Sequence, residues 1–199
     1  MQANNGKNSS NKERQLAIQQ DTIRKVIDWL RQERLEPEEI THLRKDACYY
    51  GVVISNETEK TEQRKKNRRD TFHILFPIDN LDSLTISEII ILDLPSQKSY
   101  ASLASTTNGI LEQNRFYSEL EHALLEKNVN FIIKKNVREL KSLEISKVVS
   151  FDGLTKDRLF DSINTVHHSI EIVRMKTSQL GDSVSWSKAN QKDDNNSLK

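Results

Sequence analysis

Two periods govern where apolar residues fall in this chain, and the order in which they alternate restricts the fold more than any other feature. A spacing of three, four and seven places side chains on one stripe of a helix, whereas a spacing of two places them on one face of a strand. Leu16, Ile23, Val26, Ile27 and Leu30 form a stripe that predicts a helix over 13–35, with Arg24, Lys25, Asp28, Arg31 and Arg34 on its other side. Asp21 and Thr22 offer an alternative start, and Pro37 marks the expected end because a residue before proline leaves the helical region. Three strands follow. Cys48, Tyr50, Val52 and Ile54 alternate in the first, and Phe72, Ile74, Phe76 and Ile78 in the second. The third, expected over 87–94, is apolar on both faces through Ile89, Ile90, Ile91 and Leu92, which reads as a central strand stopped by Pro95.

The stretch 96–113 supports two readings. Tyr100, Leu103, Thr107 and Ile110 have helical spacing, but Ser-Thr-Thr-Asn-Gly is a poor helix interior and Gly109 reads as a break. From 113 to 127, Phe116, Leu120 and Leu124 form a second helical stripe that ends near Asn128. Two more strands follow. Val129, Phe131 and Ile133 alternate in one; Leu143, Ile145, Val149 and Phe151 share a face of the next, where Lys147 reads as an edge side chain. The last helix has the strongest signals. Asp152-Gly153 is a turn, Thr155 an N-cap and Asp157 a first-turn acid, and Leu159, Ile163, Val166, Ile170 and Val173 make one seam expected to pack on the sheet.

Residues 1–12 and 178–199 are polar and have almost nothing to bury, so they are expected to be disordered around a single domain at 13–177. Trp186 is the one aromatic residue of that C-terminal tail. The element order, α-β-β-β-α-β-β-α, indicates an α+β fold with a mostly antiparallel five-stranded sheet.

Charge and composition restrict function further. Thirty basic and 29 acidic residues leave a net charge of +1, so no global field draws the chain to nucleic acid or to an anionic membrane. The longest apolar run is four residues, far below a membrane span, and the N-terminal residues hold no stretch of the secretory type. A single cysteine, Cys48, excludes an intrachain disulfide and fits a cytoplasmic setting. It sits on the apolar face of a strand, where cysteine serves as a small core residue. His42, His73, His122, His167 and His168 fall in no metal-ligand spacing, and adjacent helical residues such as His167 and His168 point about 100° apart. Phosphate-binding glycine loops and nucleophile elbows are absent. No catalytic, metal or cofactor residue is therefore assigned, and a non-enzymatic module is expected.

The sharpest local feature is the basic run Arg64, Lys65, Lys66, Arg68 and Arg69, interrupted by Asn67. Such a cluster can hold phosphates, which makes it the candidate nucleic-acid contact. The competing reading is a solvated hairpin tip that protects the sheet from edge pairing, partly neutralised by Glu57, Glu59 and Glu62. No aromatic residue interleaves the run to stack on bases, which favours the hairpin tip.

The helix–β–β–β–helix–β–β–helix order, from Gln15 to Val173, resembles the type III secretion chaperone-like fold and its YbjN-like relatives. The wording Val148-Val149-Ser150-Phe151-Asp152-Gly153-Leu154-Thr155-Lys156-Asp157-Arg158-Leu159 before an apolar helix looks like the DUF2299 family. These resemblances imply a curved sheet with helices packed on it, often in a homodimer, that holds extended protein segments. The chain departs from secretion chaperones in lacking their acidic character. The expected function is a protein-binding or chaperone-like module whose partner is another protein or itself, with the amphipathic first helix and the sheet edges as candidate surfaces. Nucleic-acid binding through 64–69 is the alternative, and an enzyme acting on a small molecule is a third reading.

Overall fold

A computed structural model describes residues 5–35, 37–39, 47–54, 70–77, 80–91, 94–103, 107–135 and 140–196. They form α1 (Asn5–Gln32), β1 (Pro37–Glu39), β2 (Ala47–Ile54), β3 (Asp70–Pro77), β4 (Ser83–Ile91), α2 (Leu94–Leu103), α3 (Thr107–Glu126), β5 (Asn130–Lys135), β6 (Leu140–Ser150) and α4 (Lys156–Asn196). The strand order is β1-β2-β3-β4-β6-β5, and β1–β2, β2–β3, β3–β4 and β5–β6 are antiparallel pairs. The class is α+β. Six strands and four helices stand among the described residues where sequence periods indicate five and three. The contacts divide the chain into two compact units, Met1–Glu88 with Lys147–Asn164, and Ile89–Ser146 with Thr165–Lys199.

In the first unit the alternation read from sequence sets which face is covered. Phe72, Ile74 and Phe76 of β3 are buried, as are Leu84 and Ile86 of β4. Ile74 pairs with Ile86, so these side chains share a face. The opposite side chains, His73 and Leu75 on β3 and Thr85 and Ser87 on β4, are half-buried. The buried stripe of α1 is Val26 and Leu30, joined by Gln19, whose Nε2 donates to the Pro77 carbonyl at 2.8 Å. That bond fastens α1 to the end of β3. Near the same end of β3, the Phe151 ring lies 6.3 Å from Phe76, and the Phe151 amide donates to the Asp82 carbonyl at 2.8 Å.

Pro37 does not end the first helix. It opens β1 and pairs with Val52, a place that proline accepts as the first residue of an edge strand. The helix has already stopped at a reverse turn. The Arg34 amide donates to the Arg31 carbonyl at 2.9 Å and the Leu35 amide to the Leu30 carbonyl at 3.0 Å, with Arg34 at φ 60°. This is a Schellman cap with arginine where glycine is favoured. Arg34→Gly should therefore raise stability by about 0.5–1 kcal/mol, the left-handed cost less glycine's greater unfolded-state entropy, as a higher urea midpoint at unchanged slope.

The third strand also differs from its sequence reading. β4 covers Ser83–Ile91 and not 87–94. Its covered residues are Ser83, Leu84, Ile86 and the 4 %-exposed Glu88, while Ile89 and Ile91 are 48 % and 78 % exposed. The run Ile89-Ile90-Ile91 attracted a reading of burial on both faces. It lies past the segment paired with β3, which reaches Glu88 opposite Phe72.

In the second unit the described residues of 96–113 are most of α2 and the start of α3, with 104–106 outside them; Pro95 lies in the first turn of α2, where its missing N–H costs nothing. Gly109 is a helical residue, not a break. A Cβ built there would stand 2.0 Å from the Leu103 carbonyl oxygen, so the two helices meet at a spacing only glycine allows. The buried stripe of α3 continues through Gln113, Phe116, Tyr117, Leu120 and Leu124, and Asn128 reverses the chain at φ 53°. Leu143 and Ile145 of β6 are fully buried.

The cap and the buried seam of the final helix follow the sequence reading. The Arg158 amide donates to Thr155 Oγ1 at 3.2 Å, Asp157 occupies the first turn, and the Arg158 guanidinium donates to the Asp152 carbonyl at 2.8 Å. Leu159 and Ile163 in the first unit, and Val166, Ile170 and Val173 in the second, are all 4 % exposed or less.

Candidate interaction surface

β5 stands at the end of the strand order and pairs only with β6 among the described residues. An end strand presents a row of backbone N–H and C=O groups along its outer side, which can accept a further strand. Its sequence, NFIIKK, places three apolar residues in succession. Phe131 and Ile133 are half-buried, and Ile132, opposite Glu144 of β6, is 58 % exposed. Charge is confined to the C-terminal end, Lys134 and Lys135, where the β5–β6 register shifts at a bulge.

This edge is held firmly from the helix side. Lys135 Nζ lies 3.2 Å from the centroid of the Tyr117 ring, a cation–π contact that ties the end of β5 to α3. Tyr117 donates its hydroxyl proton to the Tyr100 hydroxyl at 2.7 Å, and the two rings meet edge to face at 5.8 Å. Gln113 Nε2 donates to the Tyr100 carbonyl at 2.8 Å, so α2, α3 and β5 share one polar-aromatic cluster. On the outer side of α3, Glu119 accepts from Arg115 at 2.9 Å and from Lys176 of α4 at 3.3 Å. The Arg115 hydrogen bond, followed by Lys176, holds the Glu119 carboxyl below the usual carboxylate range.

Burial, and then the bond donated to Tyr100, push the Tyr117 phenol far above its ordinary range. The folded protein keeps this phenol neutral where the unfolded chain ionises it. Its contribution is therefore complete below an unfolded pKa of about 10 and declines as the pH rises beyond that. Tyr117→Phe should cost about 1 kcal/mol at neutral pH through the lost hydrogen bond. It should also make the alkaline loss of stability shallower by up to about 1.4 kcal/mol per pH unit, read from urea midpoints between pH 9 and 11.

Among the described residues, those singled out from sequence do not gather. His42 lies outside the described residues, as do Arg64, Lys65, Lys66, Arg68 and Arg69, which fall between Ile54 and Asp70, a pair of the β2–β3 hairpin. Cys48 pairs with Phe76, one pair in from the Ala47–Pro77 end of the β2–β3 ladder. His73 is half-buried on the less covered face of β3, and His122 is exposed 3.8 Å from Glu126. His167 and His168 have ring centroids 6.4 Å apart, and His167 Nδ1 is buried without a partner. Among the described residues no three His, Cys, Asp or Glu side chains stand together as metal ligands, and no helix is long and apolar enough to cross a membrane.

A family model described as "Uncharacterized conserved protein (DUF2299)" matches residues 22–177. The chain belongs to the DUF2299 family. A solved structure similar to this member, titled "Crystal structure of an uncharacterized protein from Methanothermobacter thermautotrophicus", matches with a TM-score of 0.62 at 21 % identity. The match covers 81 % of this chain and 99 % of that one, and at this identity it speaks to the fold alone. No curated protein matches the chain. The DUF2299 resemblance carried by 148–159 thus holds at the level of the family.

The sequence makes the sheet edges candidate surfaces but does not show that β5 forms one. Phe131 and Ile133 are visible as an alternating pair, but Ile132 between them is visible as an exposed residue only once β5 is known to be the last strand. One local signal was present: consecutive lysines closing a short apolar strand are a common guard on an edge.

Proposed function

We propose that this protein is a non-enzymatic, chaperone-like protein-binding module of the cytoplasm that takes an extended polypeptide onto the free edge of β5. The observation that carries this reading is a six-residue edge strand with its central Ile132 exposed and its end fixed to α3 by Lys135. A rigid edge lets main-chain hydrogen bonds supply affinity, while alternate side chains supply selectivity. The element order supports the same reading. With the three-residue β1 and the additional helix α2 set aside, it runs α-β-β-β-α-β-β-α, the order of type III secretion chaperone-like proteins.

Fluorescence anisotropy of a labelled, reduced and carboxymethylated polypeptide tests it. The whole chain should bind in the micromolar range, and Ile132→Lys should weaken binding at least tenfold while leaving the far-ultraviolet circular dichroism unchanged. Absence of binding, or equal binding by the variant, contradicts the assignment of the edge.

A further inference from the structure

The register of β5 allows its occupant to be named. We propose that in the protein without a client the β5 edge is filled by a second copy of this chain, paired antiparallel about a two-fold axis at Ile132. This rests on the edge reading above and extends it to a partner.

A two-fold axis between identical antiparallel strands leaves little freedom. If it passes through residue n, then n+1 faces the partner's n−1, and paired residues share a face of the sheet. An axis at Ile132 sets Ile132 against itself, Phe131 against the partner's Ile133, and Asn130 against the partner's Lys134. Apolar side chains then meet apolar ones on both faces. Each Lys134 ammonium meets an amide and not another ammonium. Lys135 faces the partner's Val129 and keeps its place over Tyr117.

Neighbouring registers are poorer. An axis at Ile133 sets Lys134 against Ile132 and Lys135 against Phe131. An axis at Lys134 opposes two ammonium groups directly, which is destabilising across strands. An axis at Phe131 carries the ladder into Asn128, whose φ of 53° is not strand geometry. Over 129–135 the axis at Ile132 opposes no like charges and sets one lysine, Lys135, against an apolar residue, where the axis at Ile133 sets two. Pairing there also covers the three apolar side chains that β5 leaves half-buried or exposed.

Cysteine cross-linking in the full chain tests the register, with Cys48, the one native cysteine, replaced by serine. Directly paired residues have Cα atoms roughly 4.5–5.5 Å apart, within disulfide range. Ile132→Cys should form a covalent dimer under mild oxidation. Asn130→Cys and Lys134→Cys should each remain monomeric on denaturing gels when alone and cross-link when mixed. Light scattering of the unmodified protein should give twice the chain mass of 23.0 kDa at micromolar concentration, and Ile132→Lys should raise the dimer dissociation constant at least 100-fold. A dimer in which Ile132→Cys does not cross-link, or in which either flanking cysteine cross-links best to itself, overturns the proposal. A monomer that still binds the carboxymethylated polypeptide overturns self-pairing and leaves the edge function standing. A monomer that binds none overturns both.

Discussion

Gly109→Ala should destabilise the protein by about 1–3 kcal/mol, seen as a lower urea midpoint with unchanged slope. Helix propensity alone gives the opposite sign, since alanine is favoured over glycine in a helix interior by about 1 kcal/mol. The difference arises from one contact. The new Cβ would sit 2.0 Å from the Leu103 carbonyl oxygen, well inside van der Waals separation. The obstructing atom is backbone, so no rotamer change relieves it, and α2 must shift relative to α3. That shift would disturb the Tyr100–Tyr117 hydrogen bond and the Gln113 bond to the Tyr100 carbonyl. A variant more stable than the parent would mean that the two helices do not approach so closely.

Leu159→Ala carries the second large expected effect, a loss of about 2–5 kcal/mol. Leu159 is fully buried one turn into α4, just after the Thr155 cap, where the first unit has tied the helix down. Lys156 beside it reaches Glu33 at 2.6 Å and Gln32 at 3.2 Å, so the start of α4 is clasped to the end of α1. Removing the leucine would leave a cavity that this clasped turn has little room to close. Met175→Ala on the same helix serves as the contrast: Met175 is 53 % exposed, and its replacement should change stability by less than about 0.5 kcal/mol. Equal losses at the two positions would contradict the burial pattern of α4.

These two sites also show what was legible in the sequence. The α4 seam was readable because a helix packing one stripe writes its burial into a local 3.6-residue period, and every residue named from that period is buried. The same holds for Phe72, Ile74 and Phe76, where a period of two matched one covered face. Reading failed where the deciding contact is distant. Gly109 looked like a helix breaker because its reason, the Leu103 carbonyl, belongs to another helix. Pro37 looked like a terminator because its strand partner, Val52, follows only after an intervening connection. Ile89 and Ile91 looked buried because apolar character was taken as a proxy for cover, and cover at a strand end depends on which neighbour reaches that far.

The candidate surface was least legible of all. Whether a strand is an edge depends on strand order. The step from β4 to β6, with β5 returning outside it, leaves no trace in the spacing of residues 129–135. The basic run 64–69 drew attention because charge runs are visible without any structure, whereas Ile132 acquires its meaning from what does not pair with it.

Hydrogen–deuterium exchange along β5 tests the central claim most directly. In an antiparallel edge strand, alternate amides point away from the neighbouring strand and remain open to solvent until another strand pairs with them. Exchange should be followed at a concentration low enough to keep the chain monomeric, and again with the carboxymethylated polypeptide added to saturation. The alternate open amides within 130–135 should slow at least tenfold on addition, while those at the centre of β3 keep their rates. Unchanged exchange in β5 under conditions where the polypeptide is bound would contradict strand addition at this edge.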